Sequence, residues 1–150
     1  MAIRLHPDFK DFLKLLISHD IAYLLVGGYA VGFHGYPRAT ADLDIWIAVD
    51  ENNAGKMVKA LKEFGFDVPQ LTTDIFLEPN KIIRLGTAPI RIEILTSISG
   101  VAFAECFQNK VKANMDGVEV DIIHLADLKK NKRASAREKD MDDLKNLSEE

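Results

Sequence analysis

The sequence predicts an α/β fold, α+β in its detailed order, with a mixed sheet flanked by helices. Three observations carry that expectation. Short apolar runs rich in branched side chains, such as Ile21 to Val26, have the length and composition of buried strands. Between them lie stretches whose apolar residues recur every three or four positions, the spacing of helices with one buried face. Glycine, proline and Asp-Gly mark the changeovers. At 150 residues the chain, 1–150, is expected to be a single domain, long enough to bury roughly two thirds of its surface.

The elements follow in order. Asp8 is placed to cap a helix reaching Ser18, with Phe9, Phe12, Leu13, Leu16 and Ile17 as its apolar stripe. The run Ile21 to Val26 is short enough for a strand buried on both faces, and it stops at Gly27-Gly28. Ala30, Val31 and Phe33 suit a short helix from the glycine pair to Gly35-Tyr36-Pro37. A loop through Arg38 and Thr40 leads to a second strand, Asp42 to Val49. Asn52 or Asn53 would cap a third helix whose apolar face is Met57, Val58, Leu61 and Phe64, with Gly65 closing it. Residues 66–78 are broken by proline and leave room for a short helix near Thr73 to Leu77. Lys81 to Leu85 and Ile90 to Leu95 read as a hairpin turning at Gly86-Thr87-Ala88-Pro89. Val101 to Phe107 suits a short helix. Val111 to Met115 and Val118 to Ile123 flank Asp116-Gly117, the signal of a two-residue hairpin. Two helices end the chain, Leu125 to Lys132 and Ser135 to Leu147. For the second, Ser135 and Glu138 form a capping box and Met141, Leu144 and Leu147 the buried stripe, with a frayed tail beyond.

Bulk properties exclude several classes. An apolar fraction of 47% with 28% charged residues belongs to a folded domain, not a disordered one. Nineteen basic against twenty-three acidic residues, a net charge of -4, argue against a chain that coats nucleic acid. The single cysteine, Cys106, can form neither an internal disulfide nor a multi-cysteine zinc site. No stretch approaches the ~20 apolar residues that span a bilayer, and the first residues lack a signal-peptide core, so a cytoplasmic location without a membrane partner is expected.

Chemistry concentrates around Val26-Gly27-Gly28 and, thirteen residues later, Asp42-Leu43-Asp44-Ile45. Alternation along a strand puts Asp42 and Asp44 on one face, roughly 7 Å apart at about 3.3 Å per residue, and Leu43 and Ile45 on the other. Two carboxylates so placed repel each other unless solvated or neutralised, and oxygen ligands of this kind suit Mg²⁺ with a substrate phosphate. Surface acids at a strand end are the plainer alternative. The glycine pair sits where a strand turns into a helix; its bare backbone could hold a phosphate, or simply make a tight turn. Neither a P-loop nor a G-x-G-x-x-G pattern is present. Lys129, Lys130, Lys132, Arg133, Arg137 and Lys139 form the one basic concentration, able to reach a triphosphate or RNA, or to be a solvated surface paired with Asp140, Asp142 and Asp143. His34 is given no role, and Trp46 is expected in the core.

An apolar residue, Gly-Gly, thirteen residues and Asp-apolar-Asp-apolar resemble the signature of the nucleotidyltransferase superfamily that includes DNA polymerase beta. The surrounding Gly27-Gly28-Tyr29-Ala30-Val31, the loop from His34 to Thr40, and Arg137-Glu138-Lys139-Asp140-Met141-Asp142-Asp143-Leu144 look like its small bacterial and archaeal branch, related to the nucleotidyltransferases of abortive-infection toxin-antitoxin systems. The resemblance implies the minimal nucleotidyltransferase fold. It also implies transfer of a nucleoside monophosphate from a nucleoside triphosphate to a hydroxyl of a protein or RNA acceptor. Asp42 and Asp44 would hold two Mg²⁺ ions with a third carboxylate from a neighbouring strand, Glu93 by order and strand face or Asp121 as second choice. Gly27, Gly28, Arg38, Thr40 and Lys132 would meet the nucleotide. The alternative is a nucleotide-binding or partner-binding module with little chemistry, the antitoxin or regulatory member of a protein pair.

Overall fold

Strand β2 (Asp42–Ile47) runs through the middle of a six-stranded mixed sheet, and its neighbours decide what surrounds its two aspartates. The computed structural model describes residues 3–37, 40–87 and 90–147. In chain order the elements are α1 (Pro7–Ser18), β1 (Tyr23–Val26), α2 (Gly27–Phe33), β2, α3 (Glu51–Phe64), a 3-10 turn (Thr73–Phe76), β3 (Ile82–Thr87), β4 (Ile90–Leu95), α4 (Phe103–Gln108), β5 (Val111–Met115), β6 (Val118–Ile122), α5 (Leu125–Ser135) and α6 (Glu138–Asn146). Across the sheet the order is β3-β4-β2-β1-β6-β5. β2 is antiparallel to β1 and parallel to β4, and β1 is parallel to β6. The expected mixed α/β architecture is therefore present.

Alternation divides β2 as its sequence requires. Leu43, Ile45 and Ile47 are fully buried on one side of the strand. On the other, Trp46 is buried edge to face against Phe103 of α4, while Asp42 and Asp44 are only half-buried. That side is thus sealed at the Trp46 end and open at the aspartate end. α1 and α3 pack on each other, with Phe12 meeting Phe64 edge to face. All four residues of β1 are buried, as an apolar run without alternation predicts.

The turns carry their own chemistry. Asp116 and Gly117 both have positive φ, 51° and 88°, the mirror-image geometry that a two-residue hairpin needs and Asp-Gly supplies. Gly65 ends α3 in the left-handed conformation expected of it, at φ 112°. β3 extends through Gly86 and Thr87, paired with Arg91 and Ile90, so those two residues belong to the strand rather than the turn; the remaining turn residues, 88 and 89, lie outside the described ones.

Several local expectations are corrected. The cap of α1 is His6, whose Nδ1 accepts from the Asp8 backbone N–H at 3.0 Å, and Ile17 is 46% exposed rather than part of the stripe. The cap of α3 is Asp50, accepting from the Asn53 N–H at 2.7 Å. Asn53 is unavailable for capping because its buried amide bridges Ala22 and Ala48, tying the ends of β1 and β2 together. At α6 the cap is Arg137, and the reciprocal carboxylate is Asp140 in place of Glu138. Met141 is half exposed, and the buried positions in that helix are Asp140 and Asp143. The tail beyond Leu147 lies outside the described residues.

Candidate active site

Strand register assembles the site. Val26 pairs with Asp44, Asp44 with Glu93, and Glu93 with Arg84, so one row across four strands carries two acids and a guanidinium. The adjacent row pairs Asp42 with Arg91. Of the two candidates for a third carboxylate, the sheet brings Glu93 beside Asp44. Asp121 lies on β6, on the far side of β1, where its carboxylate accepts from Lys112 Nζ at 2.9 Å.

Each acid has a defined environment. Arg84 Nε donates to Glu93 at 2.7 Å, and Arg91 grips Asp42 with two hydrogen bonds, 3.2 Å from Nε and 2.9 Å from Nη2. Asp44 has no such cation in contact among the described residues. Its pKa is pushed up to about 7, first by burial, then by the charges of Glu93 and Asp42 and a hydrogen bond with Glu93, with Lys139 pulling weakly the other way. Among the described residues no three His, Cys, Asp or Glu side chains converge as a ready-made metal cage. Guanidinium groups are paired with two of the three acids.

Gly27 is where it is because nothing larger fits. It has φ +68°, and a Cβ there would lie 2.8 Å from Asp44 Cγ and collide with the carboxylate itself. Gly28 is equally constrained, since its Cβ would come within 2.8 Å of Thr40 Cβ. The glycine pair therefore lets the end of β1 pass against Asp44 and lets the loop bearing Thr40 lie on the start of α2. Gly27→Ala is expected to cost about 1–3 kcal/mol from backbone strain alone, and to displace Asp44, as denaturant unfolding and an activity assay would show together.

A cleft of about 670 Å³ opens beside this row. Gly27, Asp44, Glu93 and Arg84 form one end; Asn80, Ser97, Ser99 and Asn131 supply neutral hydrogen-bonding groups elsewhere in its wall. The C-terminal helices contribute Lys132, Arg137 and Lys139. The basic concentration is thus divided: these three line the cleft, whereas Lys129, Lys130 and Arg133 do not. Lys132 is buried, its ammonium 3.1 Å from both Asp140 and Asp143. Arg38, expected near the nucleotide, lies outside the described residues. Arg84, Arg91 and the neutral wall residues stand outside the site that the sequence predicts, since no motif singles them out.

Solved structures similar to the chain in fold include the following two. One is a protein from Thermotoga maritima assigned as a nucleotidyltransferase, with TM-score 0.62 and 16% identity over 95% of this chain and 94% of that one. The other is a lincosamide antibiotic adenylyltransferase with lincomycin bound, with TM-score 0.55 and 19% identity over 98% of each chain. No functionally curated protein matches the sequence. Among the described residues no helix is long and apolar enough to cross a membrane. The family model described as nucleotidyl transferase of unknown function (DUF2204) matches residues 6–150, nearly the whole length, and the chain belongs to that family.

Proposed function

We propose that this protein transfers a nucleoside monophosphate from a nucleoside triphosphate to an acceptor hydroxyl, with the Asp44–Glu93 end of the cleft as the reaction centre and Mg²⁺ as cofactor. The observation that carries this reading is the meeting of Asp44 and Glu93 against Gly27 in an open cleft. Two acids held together there, one of them pushed up to about pKa 7, are a donor set of hard oxygens that a divalent cation would neutralise. That donor chemistry suits Mg²⁺, which takes one or two carboxylates together with substrate phosphates rather than a cage made by the protein alone. Asp44 and Glu93 would hold it, with Asp42 alongside, and the two ions implied by the family resemblance would need all three acids. A bound ion would supply polarisation of the phosphate and acidification of the acceptor hydroxyl.

The chain's own residues do the rest. Gly27 brings backbone to the cleft wall directly against Asp44, and Gly28 makes room for Thr40 at the start of α2. Arg84 and Arg91 orient Glu93 and Asp42 and offset their charge. Ser97, Ser99, Asn80 and Asn131 offer neutral partners for a base, a sugar or an acceptor. Such a site works by positioning and charge stabilisation, with no side-chain nucleophile. Asp42→Asn and Asp44→Asn are each expected to reduce transfer from labelled nucleoside triphosphate by at least ~10³-fold with the fold intact by circular dichroism. Unchanged transfer in both would sink the reading.

For the acceptor, a protein or RNA hydroxyl follows from the family resemblance, while the fold neighbour that adenylylates an antibiotic adds a small hydroxylated molecule. Transfer assays with each class would decide. A second reading is favoured by the guanidinium groups on Asp42 and Glu93: a nucleotide-binding regulatory module, which binds triphosphate without releasing pyrophosphate. Calorimetry with the four ribonucleoside triphosphates and Mg²⁺, followed by a pyrophosphate assay, separates the two.

A further inference from the structure

The cations around the cleft are not equivalent. Arg84 is bonded to Glu93 at 2.7 Å and Arg91 to Asp42 at 2.9 Å. Arg137 is bonded to Asp140 at 2.8 Å, and Lys132 to Asp140 and Asp143 at 3.1 Å each. Lys139 alone among these five makes no hydrogen bond or ion pair with the described residues, although it lines the cleft and its charge is felt at Asp44. An exposed ammonium facing a concentration of acids, with no carboxylate of its own, is available to a ligand that brings negative charge.

The backbone that carries Lys139 is fixed by buried bonds at the start of α6. The chain leaves α5 through Ala136 at φ +51°. Asp140, fully buried, then accepts from Ser135 Oγ at 2.7 Å, from the Arg137 N–H at 3.2 Å and from Lys132 Nζ at 3.1 Å. Lys139 is the residue just before this hub, so the buried ion set determines where its side chain emerges.

We propose that Lys139 grips the phosphate tail of the nucleotide, and that Lys132, buried between Asp140 and Asp143, is a positioning residue that aims it. This rests on the nucleotidyl-transfer reading of the cleft. Lys132 thereby moves from the expected role of nucleotide contact to that of mount.

The test is equilibrium binding of ATP, GTP, CTP and UTP with MgCl₂ to the full-length protein, followed by the mono-, di- and triphosphate of the tightest binder. Lys139→Ala is expected to weaken the triphosphate about tenfold, equivalent to ~1.4 kcal/mol, and the monophosphate less than about twofold. Lys139→Arg should restore most of the loss, and Arg133→Ala, which removes a charge from α5 outside the cleft, should change neither. Lys132→Met, or the milder Asp143→Asn, should reproduce part of the triphosphate-specific loss and add little to it in combination with Lys139→Ala. Wild-type binding with an unchanged Lys139→Ala variant, or equal losses for mono- and triphosphate, would overturn the assignment of Lys139 and leave the cleft reading standing. Additive losses would overturn the role given to Lys132. A wild type that binds none of the four overturns the cleft reading and this assignment with it.

Discussion

Asp44→Asn is expected to make the metal-free protein more stable at pH 8 while removing its activity, and to make little difference to stability at pH 4. The sign follows from the carboxyl's position. Its pKa is about 7 in the folded protein, against 3.8 for an ordinary aspartate. As pH rises from about 4 to about 7 the unfolded chain releases this proton and the folded chain retains it, so the folded state loses stability across that window. Above it the penalty is constant, and below it absent. Each pH unit of that window corresponds to at most about 1.36 kcal/mol; with Asp44 partly open to the cleft, a net gain of about 1–3 kcal/mol for the asparagine variant is the reasonable scale. For a domain of this size that is several degrees in Tm. Added MgCl₂ should raise the Tm of the wild type more than that of the variant, because a ligand stabilises only the state that binds it. Equal stability of the two proteins at pH 8 would mean that neither burial nor the charge of Glu93 burdens the Asp44 carboxylate in solution.

The same pair shows how far a sequence alone reaches. Asp42 and Asp44 announce themselves because their strand is otherwise apolar, and alternation places them on one face without knowledge of any partner strand. Glu93 is recoverable for the same reason: it interrupts Ile90, Ile92 and Ile94 on the opposite parity. What local pattern does not contain is register. That Glu93 pairs with Asp44 and Arg84, and Arg91 with Asp42, depends on how β3, β4 and β2 slide against one another. The guanidinium partners are therefore not predicted by local pattern, although each bonds one of the acids.

The C-terminal helix fails for a different reason. Helix faces are read by asking where apolar residues recur, which assumes that the buried side is apolar. In α6 the buried side includes Asp140 and Asp143, because Lys132 of α5 is buried with them. The rule then turns the face toward Met141, which is half exposed. Caps were displaced for a related reason. Asp8 and Asn53 have capping side chains, but His6 and Asp50 stand at the right backbone positions, and Asn53 has three backbone partners elsewhere.

Lys132→Met is expected to destabilise the protein by about 3–5 kcal/mol, a large part of the roughly 5–15 kcal/mol that holds a domain together. The side chains of Lys132, Asp140 and Asp143 are 4%, 0% and 1% exposed. Removing the ammonium leaves two carboxylates close together and shielded from water, with Arg137 bonded to Asp140. Burial pushes the Asp140 carboxyl up, yet hydrogen bonds from Arg137, Ser135 and Lys132 outweigh it and hold the group well below the usual carboxylate range. Loss of one donor weakens that balance at Asp140, and it takes from Asp143 the ammonium that stands 3.1 Å away. Lys132→Met combined with Asp143→Leu should therefore recover much of the loss, since it replaces the second acid with an apolar group and keeps the Arg137–Asp140 cap. Denaturant midpoints of the three proteins measure this directly. A cost below about 1 kcal/mol for Lys132→Met would show that the ion set is not what fixes α6, and would return Lys132 to the cleft as a candidate ligand.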